Sequence, residues 1–141
     1  DEVAREFPQL RIVIAHMGHP SVNETIALLG KHENVFAEIS GLLRHPWEAY
    51  EALSTAFQYG VINKLFFGSG FPEAAASQSN ETLYGINHLC HGSNLPAIPR
   101  DQLRGIVERD ALAALGIASP RPAAVTQNLA PVVDSDDGTE L

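Results

Sequence analysis

The sequence has 141 residues, 45% of them hydrophobic and 18% charged, which describes a soluble globular domain able to bury a core. A formal net charge of −8 excludes nucleic acid and anionic membranes as partners, because no basic stripe is present to neutralise phosphates. No run of about 18 apolar residues reads as a membrane span.

The first apolar run is residues 11–15, with Ile12, Val13 and Ile14 in succession; it ends at His16 and a glycine, Gly18. Ser21-Val-Asn-Glu24 has the pattern of a capping box and opens a helix. Val22, Ile26 and Leu29 share one face of that helix, and Gly30 stands near its end. A second apolar run covers residues 34–39. Pro46 favours the first turn of a helix over residues 47–59, with Trp47, Tyr50, Leu53 and Phe57 as its apolar stripe. The third run covers residues 64–67. A further helix is expected over residues 80–89, and a last one from Arg100 to about Leu115, burying Leu103, Ile106, Val107, Ala111, Ala114 and Leu115 before Gly116 stops it.

Short, near-continuous apolar runs separated by helices imply parallel strands joined by crossovers, an α/β arrangement. Residues 118–141 offer little to bury and read as a disordered tail, so the domain is drawn over residues 1–117. The single cysteine, Cys90, rules out an internal disulfide and makes a reducing, cytoplasmic compartment the default. Asp1 stands where a methionine would begin a reading frame, so the expectation is a start inside a longer one.

Four motifs resemble the amidohydrolase-related family. Phe7-Pro-Gln-Leu-Arg-Ile-Val-Ile-Ala-His-Met-Gly18 is similar to the stretch entering that family's sixth barrel strand and ending in a histidine. Asn34-Val-Phe-Ala-Glu-Ile-Ser-Gly41 resembles the seventh strand, and Lys64-Leu-Phe-Phe-Gly-Ser-Gly-Phe-Pro72 the eighth. Arg109-Asp-Ala-Leu-Ala-Ala-Leu-Gly-Ile117 resembles the family's closing helix. The resemblance implies strands six to eight of a (β/α)8 barrel, an incomplete one, since closure takes about eight strands and roughly 250 residues. It implies metal-assisted hydrolysis or decarboxylation of a small organic substrate, with a divalent metal, zinc by preference, bound mostly by ligands on the missing strands.

His16 is the catalytic candidate, because active sites of this fold gather at the C-terminal ends of strands. An imidazole there can activate water, polarise a carbonyl or bind a metal; the plain alternative is a hydrogen-bonded structural histidine. Gly70 stands where the resemblance places an aspartate, and glycine can neither ligate a metal nor take a proton. Glu73, three residues on, is the nearest substitute. Ser40, Arg44, Ser69 and Gly70 are the substrate-binding candidates, with Arg44 suited to a carboxylate. No metal ligand is assigned within the chain.

His19 is a neighbour of the same rim. His88, Cys90 and His91 fit no zinc spacing and read as packing. His32 and His45 read as surface residues, and Trp47, Phe57, Phe66 and Phe67 as core. Gly68-Ser-Gly70 matches neither a nucleophile elbow nor a dinucleotide loop.

Three functional readings stay open. The first is an amidohydrolase-type enzyme whose isolated C-terminal part is inactive. The second is a degenerate barrel acting as a binding module. In the third, residues 1–117 form a self-sufficient three-strand domain. The expected partner is a small-molecule substrate, and a homo-oligomer is open.

Overall fold

A computed structural model of the chain describes residues 1–118. The order of elements is α1 (Glu2–Glu6), β1 (Ile12–Ile14), α2 (Val22–Lys31), β2 (Val35–Glu38), α3 (Pro46–Gln58), β3 (Leu65–Phe66), α4 (Ala76–Gly85), α5 (Arg100–Glu108) and α6 (Ala111–Ala114). The strands form one parallel sheet in the order β1-β2-β3, pairing Val13 with Phe36 and Glu38 with Phe66. This is an α/β fold with a helix between each pair of strands. Among the described residues no helix is long and apolar enough to cross a membrane.

Side chains alternate across a strand, so the register sorts them onto two faces. Val35, Ala37 and Leu65 take one face and are buried with Ile26 and Leu29 of α2 and Leu53 of α3. Val13, Phe36, Glu38 and Phe66 share the other. Phe36 and Phe66 stack there with ring centroids 5.3 Å apart and 16° between planes. Glu38 follows Phe36 on that face at the C-terminal end of β2, where the sheet opens into loops.

Two polar anchors tie the lower ends of these elements together. Buried Asn34 points its Nδ2 at the carbonyls of Ala4, Phe7 and Leu10, at 3.2, 3.2 and 2.9 Å, fixing α1 and the approach to β1. Lys64 Nζ donates to the carbonyls of Leu29 and His32 at 2.7 and 2.6 Å, satisfying the last turn of α2.

Several local expectations are corrected. The Ser21–Glu24 capping box does not close: Ser21 makes no side-chain cap bond and has φ −87, ψ 51, outside the extended region that capping favours. Its N–H instead donates to the Gly18 carbonyl at 2.9 Å, continuing the preceding turn. The helix expected over residues 80–89 begins earlier, as α4, and tightens into a 3-10 segment over Ile86–Cys90.

The single terminal helix is two. Arg109 is extended at φ −63, ψ 128, and Asp110 restarts the chain by accepting the Ala113 N–H at 2.9 Å. Ala111, Ala114 and Leu115 are consequently half-buried. Trp47 and Phe57 lie outside the core, 55% and 37% exposed, because the buried face of α3 centres on Ala49, Leu53 and Ala56. Phe67 is half-buried rather than fully so, while Phe66 is core. His32 is no surface residue either, its side chain being 10% exposed. The tail expected over residues 118–141 lies, beyond Ala118, outside the described residues.

The break at Arg109 matters to the sheet. On the outer edge of β3, Phe67 N–H donates to the Ile106 carbonyl at 3.2 Å and Arg109 Nε donates to the Leu65 carbonyl at 3.2 Å. A second guanidinium nitrogen donates to the Asn63 carbonyl. The end of α5 thus occupies the edge where a neighbouring strand would pair. At β1 no further strand is present among the described residues, and Val13 is 40% exposed.

Candidate active site

The strands' C-terminal ends open into a cleft of about 460 Å³. All five candidates read from the sequence, His16, Ser40, Arg44, Ser69 and Gly70, line it. His19, His45 and Glu73 stand around it as well. His88 and Cys90 lie elsewhere, on the 3-10 segment after α4, and His91 directly follows it, with the two imidazole rings 5.2 Å apart.

His16 occupies an unusual backbone position. It follows β1 in the tight turn Ala15–Gly18, at φ 52, ψ 32, and Met17 beside it has φ 50, ψ 28. Left-handed conformation in residues other than glycine costs on the order of 1–3 kcal/mol each, so surrounding contacts must hold it. Met17 supplies one hold, its side chain wholly buried in the core. Glu38 supplies the other: the His16 main-chain N–H donates to Glu38 Oε1 at 2.6 Å.

The imidazole is fixed from the same side. Nδ1 lies 2.8 Å from Ser40 Oγ, 3.1 Å from the Gly41 main-chain nitrogen, which donates to it, and 3.2 Å from Glu38 Oε1. Nε2 makes no hydrogen bond among the described residues, and the side chain is 56% exposed. One edge of the ring is therefore held by protein while the other is free to meet a ligand.

Glu38 is the residue that the sequence reading left without a role. Its second oxygen, Oε2, accepts the Ser40 main-chain N–H at 2.8 Å, so one carboxylate joins the loops after β1 and β2. Gly68, after β3, completes the arrangement by having no side chain: a Cβ there would stand 2.6 Å from Oε2 and 3.0 Å from Ser40 Cβ. An acidic residue within the apolar run Val35-Phe-Ala-Glu-Ile39, on the same face as Phe36, was the available signal.

The other candidates have distinct settings. Ser40 is buried, and its hydroxyl is engaged with His16 rather than turned to solvent. Ser69 Oγ accepts the Phe71 N–H at 3.2 Å, and its carbonyl accepts from Ser79 Oγ at 2.9 Å, fixing the loop after β3. Gly70 has φ +76, which glycine adopts at least cost, and a Cβ there would meet only ordinary contacts, Ser40 Cβ being nearest at 3.7 Å. Arg44 and Glu73 are exposed on the rim. His19 Nε2 lies 3.0 Å from Glu48 Oε2, in a pair about half exposed and so of small energetic weight.

A model of the family described as Amidohydrolase matches residues 1–127. The chain belongs to the amidohydrolase family. No curated protein and no solved structure matches it. The amidohydrolase match spans all three strands and every residue of the cleft.

Metal binding, general in amidohydrolases, meets a poor donor set in these residues. Among the described residues no group of three or more His, Cys, Asp or Glu side chains is gathered to hold an ion. Both Glu38 oxygens accept main-chain N–H groups, His16 Nδ1 is engaged, and Gly70 offers no ligand. The described residues do not make a metal site by themselves.

Proposed function

We infer that the chain forms the last three βα units, strands six to eight, of a (β/α)8 amidohydrolase barrel that hydrolyses or decarboxylates a small organic substrate. His16 is the acid/base or electrophilic group. The observation that carries this reading is its imbalance: Nδ1 and the main chain are tethered at the end of a strand while Nε2 borders the cleft. Preorganised groups at such ends are how this fold builds reaction centres.

In this reading Arg44 meets a substrate carboxylate, Ser69 and Gly70 shape the cleft wall, and Ser40 serves His16. A divalent metal, zinc by preference, belongs to ligands outside residues 1–118. The chain alone is therefore inactive, because a centre divided between segments is not preorganised. The same reading takes residues 1–117 as the barrel part and 118–141 as a disordered tail, with a cytoplasmic setting and room for a homo-oligomer.

The test joins the upstream reading frame to residues 1–141 and assays small amides, esters and carboxylic acids with zinc. Turnover should appear and fall by about 10²- to 10⁴-fold in His16→Ala, the usual weight of a general acid/base. Full activity in that variant would remove His16 from the chemistry.

Gly70 favours one other reading, a barrel that binds without catalysing. If the joined protein carries no stoichiometric zinc and Gly70→Asp confers it, that reading prevails; tightly bound zinc in the unmodified protein ends it.

A further inference from the structure

We propose that Glu38 is a positioning residue: its carboxylate sets the loop and ring of His16 so that the neutral imidazole keeps its proton on Nε2, facing the cleft. The proposal rests on reading His16 as the working group of the cleft and assigns the form in which it works.

The main-chain contacts come first. One carboxylate accepts two main-chain N–H groups, that of His16 at 2.6 Å through Oε1 and that of Ser40 at 2.8 Å through Oε2. Charge-assisted bonds of this length are stronger than neutral ones, and they hold His16 at φ 52 against its ordinary preference. Gly68 leaves the space the carboxylate needs.

The ring follows from the same frame. The Gly41 main-chain nitrogen, 3.1 Å from Nδ1, can only donate, so Nδ1 must offer a lone pair. The Ser40 hydroxyl, 2.8 Å away, is free to rotate and donate as well. Glu38 Oε1, at 3.2 Å, competes for a proton on Nδ1, but a proton there would face the Gly41 N–H and leave that donor without its acceptor. In the neutral ring the proton therefore resides on Nε2. His16 then meets a ligand as a hydrogen-bond donor, suited to a carbonyl or carboxylate oxygen, and not as a lone pair for a metal.

Nitrogen-15 spectra of the histidine rings, in solution or in the sedimented solid, read which nitrogen is protonated. At about pH 8, above the ordinary histidine range, the unmodified chain should show His16 as a single Nε2–H form. Finding the proton on Nδ1 overturns the proposal without any variant.

Glu38→Gln leaves one acceptor oxygen for two N–H groups. It should replace the single form by averaged ring shifts at His16 while the His19 signals stay unchanged. Glu48→Gln should do the reverse. If Glu38→Gln does not fold, Glu38→Asp, which keeps two acceptors on a shorter arm, carries the comparison. An unchanged Nε2–H signature in the folded variant overturns the role given to Glu38. The readout needs neither substrate nor metal. An inactive joined protein would thus defeat the functional reading alone, and an Nδ1 proton would defeat this one alone.

Discussion

At Gly68 an added methyl group meets Glu38 Oε2 at 2.6 Å and Ser40 Cβ at 3.0 Å, one of them the carboxylate that holds the His16 loop. Gly68→Ala should cost about 1–3 kcal/mol, the range of overpacking, and should shift the ring signals of His16; a denaturation curve with ring spectra checks both. Gly70→Asp should be milder, about 1 kcal/mol, since its Cβ finds room and aspartate tolerates positive φ better than most residues. The place of His16 at the cleft was legible from two signals together, a histidine ending an apolar strand before a glycine and the resemblance of that stretch to the amidohydrolase-related motif. Glu38 was not. Its partner lies 22 residues away, and its importance depends on a left-handed backbone that residue type does not reveal.

Among the elements, α3 shows what its stripe conveyed and what it hid. Leu53, fully buried against the sheet face of Val35 and Leu65, was read correctly, and Leu53→Ala should destabilise by about 2–5 kcal/mol in a denaturant melt. Trp47 and Phe57 were misread because periodicity gives a helix's apolar side but not its rotation against neighbours; alanines in the buried face let that rotation turn the rings outward. Asn34 is the opposite case, a polar residue read only as the start of a strand. Asn34→Ala strips the donor from three carbonyls and should cost about 1–3 kcal/mol, measured in the same way. The strands were legible from continuous apolar runs. The break after α5 was not, because Arg109 leaves the helix to satisfy carbonyls more than 40 residues away.

For the molecule as a whole, His32 gives a pH dependence. Its titration sits below the ordinary 6.5, first because burial disfavours the cation and then because Lys31, Lys64 and Arg5 repel it, effects opposed by the Asp1 carboxylate 2.6 Å from its Nε2. Between the folded value and 6.5 the unfolded chain binds more protons, so stability should rise with pH through that window and level off above it. Melting temperatures across that range should show this slope, and His32→Gln should flatten it; a slope unchanged in the variant would assign it to another group.

Among the described residues the sheet's two borders are unlike, which bears on how copies could add to it by strand pairing. A sheet with both borders open recruits copies without end, one strand added to the next, which is the route to fibres. In this chain by itself, and among the described residues, Ile106 and Arg109 lie along the β3 border, where a barrel's first strand would have to displace them, while the β1 border carries no strand. Two copies meeting at β1 would exhaust each other, and growth through strand pairing would halt at a pair. Arg109→Ala frees the Leu65 and Asn63 carbonyls and leaves only the Phe67–Ile106 bond on that border. Light scattering should then find larger assemblies than the unmodified chain forms, with a guanidinium that looked like helix punctuation limiting strand addition between molecules; sizes unchanged by the substitution would take that role from Arg109.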